Sequence, residues 1–170
     1  MDVWIGEGYE RAAKRILVLG ESWYGEVEPL CAFVPRWATG ELRDAMLSRL
    51  FNAASGLHTE RASIEQRLAW WNGIAFYNFV PGSVGASRSD RPSDAAFRAA
   101  RAPLGLVLER LRPDGVWIIG KGQAAYSAGV VEEFGAVHEV TAHTASYGLS
   151  SAELAGSWAK LCQRVRAPER

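Results

Sequence analysis

The sequence predicts an α/β domain built on a parallel sheet with helices on both faces. Short apolar runs of strand length (residues 15–20, 74–79, 115–120 and 136–143) alternate with longer segments of helical pattern. Strands separated by helical crossovers pair in parallel. The runs are close to continuously apolar, as strands covered on both faces are. The strand ends add a third observation. Glu21, Ser22, Asn78 and His143 stand at or just past the carboxyl ends of these runs, where open α/β sheets bind ligands in a crevice. A core has no use for such groups, so they read as the rim of a site.

Residues 1–14 have weak periodicity and read as a lead-in arm. Arg15 to Gly20 is the first strand, closed by glycine. A loop with Pro29 and Pro35 follows, then a helix from about Gly40 to Ala54, capped by Thr39 and ended by Gly56. Ser63 to Gln66 forms a capping box and starts a helix that ends at Gly73. Ile74 to Phe79 is the second strand. The segment from Pro81 to Pro92 is a Gly- and Ser-rich loop, and Ser93 caps the next helix, which Pro103 is expected to kink or split near Arg101. Gly115 to Gly120 is the third strand. Gly122 to Phe134 is a short helix that Gly129 should break, and Ala136 to His143 is the fourth strand. A second capping box, Ser150 to Glu153, opens the C-terminal helix. The expected architecture is a four-stranded parallel sheet in a three-layer α/β/α arrangement, with residues 1–170 forming a single domain.

Composition excludes several classes. The 170 residues carry 19 basic and 19 acidic side chains, which rules out a polybasic tail but not a local phosphate-binding face. Cys31 and Cys162 form no CxxC pair, arguing against a disulfide scaffold, a zinc ribbon or a four-cysteine iron–sulfur site. No apolar run reaches about 18 residues and none follows a basic start. The expectation is a cytoplasmic monomer without metal or cofactor.

The residues leave more than one chemistry open. Gly20 to Gly25 is a glycine-bounded loop after a strand, suited to phosphate, but it is neither GxGxxG nor a P-loop. A hydrolase using Ser22 and His143 lacks both the GxSxG turn and an acid placed to orient the histidine.

Taken in chain order, five segments resemble the motifs of the uracil-DNA glycosylase superfamily. Gly20-Glu21-Ser22-Trp23-Tyr24-Gly25 is similar to GQDPYH, or to GEAPG of the iron–sulfur branches. Cys31-Ala32-Phe33-Val34 is similar to the LAF-like segment, and Asn78 stands where the base-reading asparagine ends the second strand. Val116 to Ala124 resembles VVFLLWGKxAQ, and His143-Thr144-Ala145-Ser146 takes the place of HPSPLS. The resemblance covers about residues 15–160.

It implies a DNA glycosylase that excises uracil or another damaged or modified base from DNA. Such an enzyme extrudes the nucleotide into a pocket and reads the base edge, at a cost of a few kcal/mol of unstacking. Asn78 would pair with a pyrimidine edge through its amide, and Phe33 would stack on the base. Tyr24 would exclude 5-substituted pyrimidines. His143 would stabilise charge on the departing base, as placed donors do at a developing oxyanion.

The departures are specific. Ser22 replaces the aspartate that positions water, so Glu21 is the nearest carboxylate candidate for that task. Trp23 replaces a proline. The loop after His143 retains neither proline of HPSPLS, leaving Ser146 and Tyr147 as DNA-binding residues, with Tyr147 or Leu149 as a wedge. Ser22 also keeps open a catalytically lapsed module that binds nucleic acid or a nucleotide without hydrolysis.

DNA contacts need cations. Between Pro81 and Arg112 arginines exceed acidic residues by three. Arg88 and Arg91 lie in the loop just past Asn78, and Lys121 follows the third strand at the same sheet edge, all placed to hold phosphates.

Overall fold

The computed structural model describes residues 2–87, 90–144, 146 and 148–165. It is an α/β fold with one mixed sheet of five strands, in the order β1-β3-β2-β4-β5. The four expected strands are β2 (Ile16–Gly20), β3 (Ala75–Asn78), β4 (Gly115–Ile119) and β5 (Val137–Thr141), and they pair in parallel.

The four-stranded, all-parallel expectation needs correction. The lead-in arm supplies an edge strand, β1 (Val3–Ile5), antiparallel to β3 with Val3 opposite Tyr77. Three residues are too few to show a period. What holds the arm is tertiary: Trp4 Nε1 donates to the Trp71 carbonyl, and the Gly6 amide to that of Ile74. A Cβ on Gly6 would stand 2.4 Å from the Asn72 backbone, so only glycine allows this approach.

The helices depart from expectation in three places. The proline-containing loop is instead a helix, α1 (Leu30–Thr39), with Pro35 inside it. An internal proline costs roughly 3 kcal/mol. Burial of Leu30, Val34, Trp37 and Ala38 offsets that cost, and Asp2 of the arm accepts the Leu30 amide at 2.9 Å. Gly40 therefore ends α1 with φ +84°, and the next helix, α2 (Ala45–Ser55), starts later on an Asp44 cap. Helix α4 (Asp94–Leu111) runs unbroken through Pro103, and α5 (Lys121–Phe134) through Gly129. Helices α3 (Ile64–Asn72) and α6 (Ser151–Arg164) open on the two expected capping boxes.

Helices cover both faces of the sheet. Buried side chains of α1, α2, α3 and α6 pack with Ile16, Val18, Phe76, Trp117 and Ile119. Those of α4 and α5 pack with Leu17, Leu19, Val116 and Ile118 on the other side. After β2 the chain therefore turns to one face, and after the adjacent β4 to the opposite face. A gap opens between two such strand ends, and it is where ligands enter open α/β sheets. Among the described residues no helix is long and apolar enough to cross a membrane.

Candidate active site

The gap beyond β2 and β4 is a cleft of about 180 Å³, lined by Glu21, Arg91, Gly120 to Gly122, Ala142, His143 and Ser146. Glu21 enters from β2, the two glycines and Lys121 from the start of α5, and His143 from the loop after β5.

Glu21 is the most constrained of these groups. Its backbone continues the β2–β3 pairing, since the Val80 amide donates to its carbonyl at 2.9 Å. Its side chain is 1 % exposed, and Arg91 Nη1 lies 3.2 Å from Oε1. Two loops running side by side deliver that arginine. Trp23 pairs with Ser83, and the Gly25 amide bonds to the Gly85 carbonyl. The other carboxylate oxygen, Oε2, would sit 3.3 Å from a Cβ on Gly120 and 3.8 Å from one on Gly122. Gly120 also holds φ +136°, so this turn needs a glycine for conformation as well as for space. The amino end of α5, with its partial positive charge, opens on the same cleft.

The Tyr24 hydroxyl reaches Glu21 Oε1 at 3.5 Å. Burial raises the phenol above its ordinary pKa. Ser22 itself is buried, and its Oγ makes no hydrogen bond among the described residues.

Gln123 braces this end of the sheet. It is fully buried, and its amide nitrogen donates to the carbonyls of Leu19 at 3.1 Å and Ile119 at 2.9 Å. One side chain thus ties the last turns of β2 and β4 together. Gln123 falls within the segment from Val116 to Ala124, whose motif assigns it no role. The available signal was a large amide one turn into a helix that leaves a buried strand.

Asn78 lies beside the cleft rather than on its wall. Its strand position is opposite Gly20, and its Oδ1 would be 2.4 Å from a Cβ there. The residue is buried, and neither amide atom has a hydrogen-bond partner among the described residues. An unpaired buried amide costs about 1–3 kcal/mol, and such groups in a folded protein ask for an explanation.

The remaining expected site residues are distributed as follows. Lys121 and Ser146 line the cleft with Glu21, Arg91 and His143. Phe33 is on α1, partly buried, with its ring edge-on to Trp23 at 4.7 Å and 88°, and it does not line the cleft. Arg88 and Tyr147 fall outside the described residues. Among the described residues, no three His, Cys, Asp or Glu side chains gather to hold a metal ion.

The loop carrying His143 and Ser146 is fixed from outside. Arg49 of α2 donates through both terminal nitrogens, to the carbonyls of Thr144 and Leu149. The Ser146 amide closes a turn on the His143 carbonyl at 2.8 Å. No protein-family model matches this chain, and the search of curated proteins returned no match either.

Proposed function

We propose that this chain is a monofunctional DNA glycosylase of the uracil-DNA glycosylase type, acting on uracil or another modified base. The observation that carries this reading is the cleft itself. A buried carboxylate, a histidine and cations meet at the point where the chain leaves β2 and β4 for opposite faces.

The cleft is smaller than the roughly 300–1,000 Å³ of sites that enclose drug-sized ligands, which suits one flipped base. In the reaction the C1′–N bond of the nucleotide breaks and its electron pair leaves with the base. Water adds to C1′, and the proton lost from that water neutralises the base. Glu21 holds the water and offsets positive charge on the sugar. His143 donates to the oxygen that gains negative charge. Asn78 supplies donor and acceptor to the base edge, which accounts for an amide that folding leaves unpaired. Arg91 and Lys121 supply cations for the flanking phosphates.

One observation favours the alternative of binding without hydrolysis: Arg91 already sits on the Glu21 carboxylate, and Ser22 supplies no second one. The deciding experiment incubates the protein with oligonucleotides carrying a panel of bases, including 5-modified pyrimidines, and then adds alkali to cut at abasic sites. Strand cleavage at one modified base supports the enzyme. DNA binding with no cleavage across the panel replaces it with the binding module.

A further inference from the structure

A second and larger cavity lies on the face of the sheet covered by α1, α2 and α3. Its volume is about 750 Å³, within the range of sites that hold nucleotide-sized ligands. Three guanidinium groups line it: Arg43 before α2, Arg49 in α2 and Arg67 in α3. None of the three has a carboxylate within 4 Å among the described residues, although the chain pairs Arg15, Arg36, Arg91, Arg98 and Arg164 with acids elsewhere.

Each arginine keeps donors in reserve. Arg67 lies over the Trp37 ring at 6.0 Å, and its Nε is buried without a hydrogen-bond partner among the described residues. Arg49 spends two donors on the Thr144 and Leu149 carbonyls, leaving three of a guanidinium's five N–H groups. Those two carbonyls are neutral, and no carboxylate among the described residues pairs with Arg49. Arg43 lines the cavity and is exposed. The acidic groups facing the cavity are few. Asp44 accepts the Leu47 amide and caps α2, and Glu60 is 87 % exposed beside His58.

We propose that this cavity is a binding site for a phosphate ester of nucleotide size, its phosphate held by Arg43, Arg49 and Arg67. Guanidinium forks match phosphate oxygens two at a time, and three unneutralised ones around a concave space make a cation excess that a phosphate dianion relieves. The phosphate belongs either to a free nucleotide or to a nucleic-acid backbone. Arg49 also clamps the loop bearing Ser146, so the ligand would sit one side chain away from the cleft at the strand ends. The assignment does not depend on glycosylase activity.

The test is an amide-resolved NMR titration of the full chain, at ionic strength held constant with chloride. Three probes are used: inorganic phosphate, a 5′-nucleoside monophosphate and a short single-stranded oligonucleotide. Saturable shifts at Ala45, Met46 and Ser48, weakened at least tenfold by Arg43→Gln and by Arg67→Gln, are expected. Shifts with the mononucleotide identify a free nucleotide as the source, and shifts with the oligonucleotide alone identify the backbone. Arg43 is exposed, so its variant keeps the fold. If none of the three probes moves the first turn of α2, or if Arg43→Gln binds as tightly as the parent, the assignment is overturned.

Discussion

Gly20 and Asn78 are register partners at the ends of β2 and β3, and the Asn78 amide occupies the space that a side chain at residue 20 would need. Asn78 Oδ1 is 2.4 Å, and Phe76 Cζ 3.0 Å, from where a Cβ at position 20 would stand. Gly20→Ala should therefore cost about 1–3 kcal/mol through overpacking, measured by urea denaturation. Combining it with Asn78→Ala should return part of that loss, because the closest clash disappears. A strictly additive double variant would show that the two residues do not share the space.

The Glu21–Arg91 pair joins a buried carboxylate to a guanidinium that is 60 % exposed. Arg91→Ala strands the charge and should destabilise the fold by about 1–3 kcal/mol. Glu21→Gln keeps the shape and removes the charge, so its stability loss should be smaller while base release falls sharply. A Glu21→Gln protein that unfolds more easily than Arg91→Ala, yet releases base normally, would assign Glu21 to bracing the loop.

His143 stands at the rim of the cleft and Asn78 beside it, and both are proposed to meet the base. His143→Ala and Asn78→Ala should each lower the single-turnover rate of base release by about 10²–10³-fold, the loss seen when one oxyanion donor is removed. Circular dichroism checks that the variants stay folded. A normal rate in His143→Ala would move charge stabilisation to another group.

Alkaline pH tests the buried phenols. Burial raises the pKa of Tyr9, Tyr24 and Tyr77 above 10 in the folded chain. Between the unfolded and folded values, the unfolded chain has lost phenolic protons that the folded chain still holds. These phenols therefore leave stability unchanged below about pH 10 and lower it above, with a slope of up to about 1.4 kcal/mol per pH unit for each such tyrosine. Burial also raises the Cys162 thiol, so thermal melts from pH 8 to 11 should begin to fall at about pH 9 and steepen above about pH 10. Tyr24→Phe should reduce the drop, because one coupled ionisation is gone.

Four strands, two capping boxes and the polar residues at the strand tips were legible from local signals alone. Burial on both faces writes itself as continuous apolar runs, and orphan amides at a helix start select Ser with Gln or Glu three residues later. Glu21, Arg91, Lys121, His143 and Ser146 were named from the chain and meet in one cleft. Their convergence follows from strand order, which places the ends of β2, β4 and β5 side by side.

Other features could be decided only in three dimensions. The β1 strand exists because β3 offers an open edge, and three residues carry no period of their own. Helix α1 persists through Pro35 because burying Trp37 and its neighbours outweighs a local penalty. Phe33 was expected to face a base, but the Trp23 ring meets it edge-on. The role of Gln123 is to join two strands about a hundred residues apart, which no local pattern spells out. Sequence by itself determined the four parallel strands and the helices capped by Ser63, Ser93 and Ser150, because propensity, period and capping act within a few residues. Only the tertiary structure decided which side chains share the cleft and which arginines meet carboxylates, because charge and packing act across space between residues that the chain keeps far apart.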